Sequence, residues 1–111
     1  MNLSDLHCTG YDATARGLTA DEIADLLAQL PAWSLVQETT PRLERVFGFD
    51  TFLQALDFAN KVGAMAEAEG HHPALLVEWG RVRVQWWTHF VGGLHLNDFI
   101  AAAHTDRLYA G

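Results

Sequence analysis

Apolar side chains begin to recur at helical spacing just after residue 18. Thr19 to Glu22 form a capping box, in which a threonine hydroxyl and a glutamate carboxylate can each satisfy a free N–H at the start of a helix. The apolar residues that follow lie three or four positions apart, and they are Ile23, Leu26, Leu27 and Leu30. This spacing predicts an amphipathic helix, which Pro31 ends.

A longer helical pattern spans residues 51–69, between a capping Asp50 or Thr51 and a stop at Gly70. It carries two apolar stripes. One stripe consists of Phe52, Leu56, Ala59, Gly63 and Ala66, and the other of Ala55, Phe58, Val62 and Met65. Packing on one sheet needs only one stripe, so the second indicates either a subunit contact or a thick core. We expect the stripe containing Phe58 to face a partner subunit, because its residues are larger.

Alternation of apolar and polar residues predicts two hairpins. Residues 33–37 and 42–49 form the first pair of strands, and residues 75–79 and 81–88 form the second pair across Gly80. In the first hairpin, one face of the second strand is mostly apolar. Each hairpin is followed by a helical pattern, and the sequence shows no internal repeat beyond this loose recurrence.

A last helical pattern follows Gly92-Gly93, and its apolar residues are Leu96, Phe99, Ile100 and Ala103. The predicted order is helix, two strands, long helix, two strands, helix. Two antiparallel hairpins and a few helices of this size form an α+β sandwich, with the helices on one face of the sheet. Residues 1–18 show no clear period, so we expect a mobile N-terminal tail ahead of a single domain over residues 19–111.

Composition and charge narrow the classes of function. Half of the 111 residues are hydrophobic, which is enough for a packed core. A net charge of −7 with only seven Lys and Arg residues argues against direct nucleic-acid binding. No apolar run approaches the roughly 20 residues of a membrane span. The single cysteine, Cys8, fits a reducing compartment and the first residues lack a signal-peptide pattern, so we expect a cytoplasmic protein without membrane contact.

Three histidines stand at the ends of predicted elements: His71 and His72 follow the long helix, and His89 follows the last strand. They could be surface residues, metal ligands or a paired general acid and base. Adjacent histidines lack the ligand spacing of helical zinc motifs and have no cysteine nearby, so a metal site is disfavoured. Imidazole both gives and takes protons near neutrality. With Glu67 and Asp98 as orienting carboxylates, acid–base catalysis is modestly favoured over a surface location.

These residues fit the longer pattern E-x3-H-H-P-x5-W-x9-H-x8-D, which is filled by Glu67, His71, His72, Pro73, Trp79, His89 and Asp98. The pattern resembles the pterin-4a-carbinolamine dehydratase family. Leu30–Trp33 is similar to that family's LPGW segment, and Leu43–Phe52 to its LERxFxFxxF passage. Thr88-His89 and Gly93-Leu94 are similar to its TH…GL residues. The resemblance covers about residues 19–106.

The resemblance implies a four-stranded antiparallel sheet with helices on one face, in the order α-β-β-α-β-β-α. It also implies homodimers formed through strand edges, or homotetramers formed in addition through the long helix. This chain departs from many members of the family at His95, where they have a threonine that opens the last helix. Histidine is a poorer N-cap than threonine, so either the setting of Asp98 is looser or His95 is a surface residue, and the surface location is favoured.

The family's reaction removes water from 4a-hydroxytetrahydrobiopterin and gives quinonoid dihydropterin, which is recycled after aromatic amino acid hydroxylation. It needs no metal and no other cofactor. The resemblance implies that the proton transfers belong to His71, His72 and His89, while Glu67 and Asp98 hold the imidazoles. It places the substrate against Pro73, Thr88 and Trp79. The implied partners are a small-molecule pterin and, within the pathway, an aromatic amino acid hydroxylase.

A second reading is a noncatalytic binding protein on the same fold. Relatives in the family include a dimerisation cofactor for a homeodomain transcription factor and a RuBisCO assembly factor. A pure assembly factor has no need to retain three histidines together with two carboxylates, and all five side chains are present here. The sequence therefore favours the enzyme.

Overall fold

The computed structural model describes residues 2–12 and 14–111. Its helices are α1 (Ala20–Leu27), α2 (Phe52–Glu69) and α3 (Leu96–Ala110), and its strands are β1 (Ser34–Gln37), β2 (Pro41–Gly48), β3 (Ala74–Glu78) and β4 (Arg81–Trp86). The predicted order α-β-β-α-β-β-α and the α+β class are confirmed. Among the described residues, no helix combines the length and apolar character needed to cross a membrane.

The four strands form one antiparallel sheet in the order β1-β2-β4-β3. At its centre, Leu43 of β2 lies opposite Trp86 of β4, and Phe47 lies opposite Val82. All four side chains are buried on the face covered by helices. Arg45 shares this face and donates to Asp106 of α3 at 2.7 Å. The core therefore lies between one face of the sheet and the helices.

Helix α2 buries the stripe that was expected to face a partner. Phe58 is 4% exposed and Val62 is fully buried, so both belong to the core of the subunit. The expected outward direction of the Phe58 stripe is wrong, because the larger side chains fill more of the space above the sheet. The large apolar side chains that α2 exposes are Phe52, Leu53 and Leu56.

The N-terminal segment, residues 2–12, lies against α2 and α3 rather than standing apart as a tail. Leu3 is 2% exposed in a short 3-10 turn. The amide N–H of Cys8 donates to Glu69 at 2.8 Å, and Thr9 exchanges two hydrogen bonds with the side chain of Asn97. Met1 and Ala13, which the expected tail also included, lie outside the described residues. These hydrogen bonds join residues that are 61 and 88 positions apart in the chain. Contacts over such distances leave no periodic pattern in the sequence of the segment.

Candidate active site

A cleft of about 290 Å³ opens beside the end of β4 and the turn that follows α2. Its lining residues are Tyr11, His71, His72, Trp87, Thr88, His89 and Phe90. The structure thus brings together the three histidines that the sequence singles out, from positions 18 residues apart in the chain.

A larger cleft of about 380 Å³ lies near the end of α3, where it is lined by Lys61, Asp57 and Tyr109 among others. It contains none of the residues predicted for the site and no histidine. Size alone does not make it the better candidate, because proton transfer near neutrality calls for imidazole. The smaller cleft is the candidate active site.

Two tight turns position the histidines at the cleft. Gly70 ends α2 with φ of 67°, a left-handed conformation that glycine adopts without strain, and the chain then turns into His71. The N–H of His71 donates to the carbonyl of Ala66 at 3.2 Å. On the other side, Thr88 and Gly93 close a loop through two backbone hydrogen bonds of 2.8 and 3.3 Å, and His89 begins a 3-10 turn inside that loop. Both backbones are therefore fixed.

Asp98, which does not itself line the cleft, holds His71 through a hydrogen bond. Its carboxylate is fully buried and accepts from His71 Nε2 at 2.6 Å, from the Thr88 hydroxyl at 2.8 Å and from the N–H of His95 at 3.0 Å. In its ionised form the carboxylate of Asp98 only accepts; Nε2 of His71 is then the donor, and Nδ1 is the ring nitrogen that keeps a lone pair. The ring of Trp86 stacks on His71 at 5.4 Å and fixes its plane.

His72 and His89 differ from His71 because both are exposed to solvent. His72 Nε2 lies 3.2 Å from Glu67, and the two side chains are 61% and 80% exposed. An exposed pair of this kind contributes little to stability and holds its members loosely. The two carboxylates expected to orient the imidazoles are therefore unequal: Asp98 fixes His71 firmly, whereas Glu67 is a surface partner of His72.

His95 caps α3 with its own ring. Its Nδ1 accepts the N–H of Asn97 at 3.0 Å, while Asp98 accepts the N–H of His95, so the two residues form a capping box. The structure shows neither alternative: His95 is half-buried rather than a surface residue, and Asp98 is not loosened, because an imidazole lone pair replaces the usual hydroxyl. Burial lowers the pKa of His95 below 6.5, although the charge of Asp98 opposes this effect.

Tyr11 is a lining residue to which no pattern in the sequence points. Its ring stacks on Phe90 at 5.3 Å with an angle of 14° and meets the edge of His95 at 4.8 Å. Its hydroxyl accepts from Asn97 Nδ2 at 3.1 Å. A single tyrosine in an aperiodic segment carries no signal of its position. Its place depends on the docking of residues 2–12.

Of the three residues expected to contact substrate, only Thr88 lines the cleft. Its hydroxyl is bonded to Asp98. Pro73 adjoins His72 without lining the cleft. Trp79 is 77% exposed in the turn after β3, at the opposite end of that strand from the histidines. Trp87 lines the cleft instead, and the guanidinium of Arg42 lies 3.7 Å from its ring centroid.

Comparison with known proteins agrees with the motif. The sequence matches the family described as pterin 4 alpha carbinolamine dehydratase over residues 16–108. A protein of Chlorobaculum tepidum named "Putative pterin-4-alpha-carbinolamine dehydratase" is 52% identical over 96% of both chains. A protein of Gloeobacter violaceus with the same name and the number 1 is 54% identical, over 99% of this chain and 96% of its own.

Solved structures show the same fold. A transcriptional coactivator/pterin dehydratase from Brucella melitensis superposes with a TM-score of 0.77 at 28% identity, over 84% of this chain and 98% of its own. A pterin dehydratase-like protein described as a RuBisCO assembly factor in the alpha-carboxysome superposes with a TM-score of 0.61. Its 21% identity, over 72% of this chain and 92% of its own, shows a common fold alone. The match over residues 16–108, together with these relatives, shows that the chain belongs to the pterin 4 alpha carbinolamine dehydratase family.

Proposed function

We propose that this protein dehydrates a pterin 4a-carbinolamine in the histidine cleft by general acid–base catalysis. The observation that carries the proposal is the convergence of His71, His72 and His89 on one cleft, with His71 oriented by a buried carboxylate. Membership of the family supplies the substrate class. The names of the relatives from Chlorobaculum tepidum and Gloeobacter violaceus support the same reaction.

The reaction balances with two proton transfers. The bond between C4a and its hydroxyl oxygen breaks, and the oxygen leaves as water after it accepts one proton. N5 loses its proton, and a double bond forms between N5 and C4a. No electrons pass to another reactant, so the step needs no redox partner. Positioned side chains that exchange protons contribute roughly 10² to 10⁴-fold to such a rate.

His71 is assigned the role of general base, which accepts the proton from N5. Its Nε2–H is committed to Asp98, so Nδ1 is the nitrogen that can accept a proton. The charge of Asp98 then stabilises the imidazolium, as a buried carboxylate does for the histidine of a catalytic triad. His72 and His89 are assigned the role of protonating the leaving hydroxyl, because exposed imidazoles regain protons directly from water.

We assign the binding of the substrate's flat rings to aromatic side chains. Trp87, Phe90 and Tyr11 form walls of the cleft, and aromatic faces bind planar rings by stacking. In the family's reaction the substrate arises from an aromatic amino acid hydroxylase, so the proposal places the protein in tetrahydrobiopterin recycling as a pathway partner of such an enzyme. That relation requires a shared metabolite and no physical contact.

The direct test follows the decay of carbinolamine absorbance after a hydroxylase turnover, with and without the protein. We expect a faster decay that a chelator leaves unchanged, and a loss in kcat/KM of roughly 10²-fold or more in both His71→Ala and His89→Ala. His7→Ala, an exposed histidine outside the cleft, is the matched control. An unchanged decay in the presence of the protein would instead favour a noncatalytic binding protein on this fold.

A further inference from the structure

A second group of potential ligand atoms lies outside the cleft, where His7, Glu69 and His104 converge. One ring nitrogen of each histidine and one carboxylate oxygen all lie within 4.8 Å of one another. The three residues come from different parts of the chain: the N-terminal segment, the last residue of α2, and α3. None of them lines the candidate active site.

Two of these side chains are held in place by their other atoms. Glu69 Oε1 accepts the N–H of Cys8 at 2.8 Å, which leaves Oε2 directed at His7 Nδ1, also at 2.8 Å. His104 Nε2 donates to the carbonyl of Leu6 at 2.7 Å, so its neutral ring keeps the lone pair on Nδ1. A backbone carbonyl that fixes the tautomer of an imidazole is a common support for a metal-binding histidine.

The remaining side chain can adjust. The imidazole of His7 is 76% exposed, whereas Glu69 is 10% exposed. An ion at about 2.0–2.2 Å from nitrogen and oxygen ligands needs those ligands closer together than the present upper limit of 4.8 Å. Rotation of the exposed ring of His7 can supply much of that approach.

We propose that His7, Glu69 and His104 bind a divalent transition-metal ion of the zinc class, with solvent completing the coordination. Two imidazoles and one carboxylate suit Zn²⁺ and its neighbours, whereas Mg²⁺ and Ca²⁺ prefer ligand sets made of oxygen alone. Cys8 is excluded from the ligand set, because its sulfur is not among the converging atoms and lies 3.6 Å from the carbonyl of Asn97.

A metal ion at this position would join the N-terminal segment to α2 and α3. That segment continues to Tyr11, which lines the cleft, so the ion would stabilise the docked position of a segment that forms part of the cleft. The proposed dehydration makes no use of this ion. Failure of the metal proposal therefore leaves the proposed reaction untouched, and the converse holds as well.

The test is calorimetric titration of Zn²⁺ into the full chain after treatment with a chelator. We expect one ion per chain, and affinity lowered about tenfold or more in His7→Ala and in Glu69→Gln. Glutamine keeps an acceptor for the N–H of Cys8, and His7 is exposed, so both variants should fold. Cys8→Ser and His89→Ala are the matched controls, and both should bind Zn²⁺ like the wild type.

Thermal unfolding gives a second measurement. Zn²⁺ should raise the Tm of the wild type and leave that of His7→Ala nearly unchanged, because only binding to the folded state stabilises it. Three outcomes would overturn the proposal: equal affinity in the wild type and His7→Ala, lost affinity in His89→Ala, which would put the ion in the cleft, or no change in the wild-type Tm. Lost affinity in Cys8→Ser would overturn the assigned ligand set.

Discussion

Asp98 links the candidate site to the fold because its three hydrogen-bond donors come from three different segments. His71 follows α2, Thr88 follows β4, and His95 opens α3. A fully buried carboxylate needs such partners, since an unpaired charge in the interior costs several kcal/mol. The group that orients the proposed base therefore also fixes the start of α3. Changes at Asp98 should damage folding and catalysis together.

His95 provides a cleaner test at the scale of one residue, because its role depends on its protonation state. The ring caps α3 only while Nδ1 keeps its lone pair, and its pKa in the folded protein is lowered by burial, against the charge of Asp98. Below about pH 6.5 the unfolded chain binds this proton more readily than the folded chain does. The contribution of His95 to stability is therefore complete above about pH 6.5 and declines as the pH falls toward the folded pKa.

The variant His95→Asn should retain an N-cap acceptor while removing the titration. We expect its free energy of unfolding, measured with urea, to fall less between about pH 7.5 and 5.5 than that of the wild type. Asp98 and His71, which interact with the ring, are present in both proteins. Equal pH dependence in the two proteins would contradict the capping role assigned to the neutral imidazole.

At the scale of elements, signals that act over a few residues predicted the helices well. The capping box at Thr19 and the stop at Gly70 stand where the sequence indicated, and Thr51 is the cap of α2 among the two residues, Asp50 and Thr51, that the sequence offered. The three histidines and Asp98 of the motif lie close together in the structure, because short turns join them to regular elements. The orientation of α2 did not follow from the sequence, since both of its stripes are apolar and only packing selects one.

The N-terminal segment is the element that the sequence could not assign. The residues that bind it, Glu69 and Asn97, are far away in the chain, and no periodic pattern in the sequence predicts such contacts. Because the segment carries Tyr11 to the cleft, we expect it to contribute to substrate binding. The family match begins at residue 16, so this contribution lies outside the matched region.

Tyr11→Ala should raise the KM for the pterin between about twofold and tenfold with little change in kcat, the range expected for losing one aromatic contact. Tyr11→Phe, the matched control, keeps the ring and loses only the hydrogen bond from Asn97, so its KM should stay near that of the wild type. Steady-state kinetics on both variants decides the matter. A fall in kcat at unchanged KM would show that the ring acts on the reaction step instead.

On the scale of the whole molecule, two of the regions that expose apolar side chains are candidates for subunit contacts. One is the outward face of α2, where Leu53 is 75% exposed. The other is the uncovered face of the sheet, where Val46 and Leu76 flank Arg83 of the central strand β4. The edges of the sheet, β1 and β3, also present backbone groups that another chain could pair with. These features favour a homo-oligomer, either a dimer or a tetramer.

Helix α2 gives the sharper test of assembly, since its exposed residues can be changed without touching the core. Leaving Phe52, Leu53 and Leu56 in water would create an apolar patch of the kind that marks interaction sites. We expect the wild type to be oligomeric at micromolar concentration and the double variant Leu53→Glu, Leu56→Glu to lose one level of assembly while it stays folded. Light scattering gives the mass, and circular dichroism checks the fold.

The matched control for this test changes the buried stripe of the same helix. Phe58→Glu with Val62→Glu puts two charges into the core, so we expect that variant to unfold rather than dissociate, because an unpaired buried charge is strongly destabilising. A monomeric wild type would refute the argument for assembly. A folded monomer from the Phe58 and Val62 variant, with the Leu53 and Leu56 variant still oligomeric, would mean that the helix turns its other face to the sheet in solution.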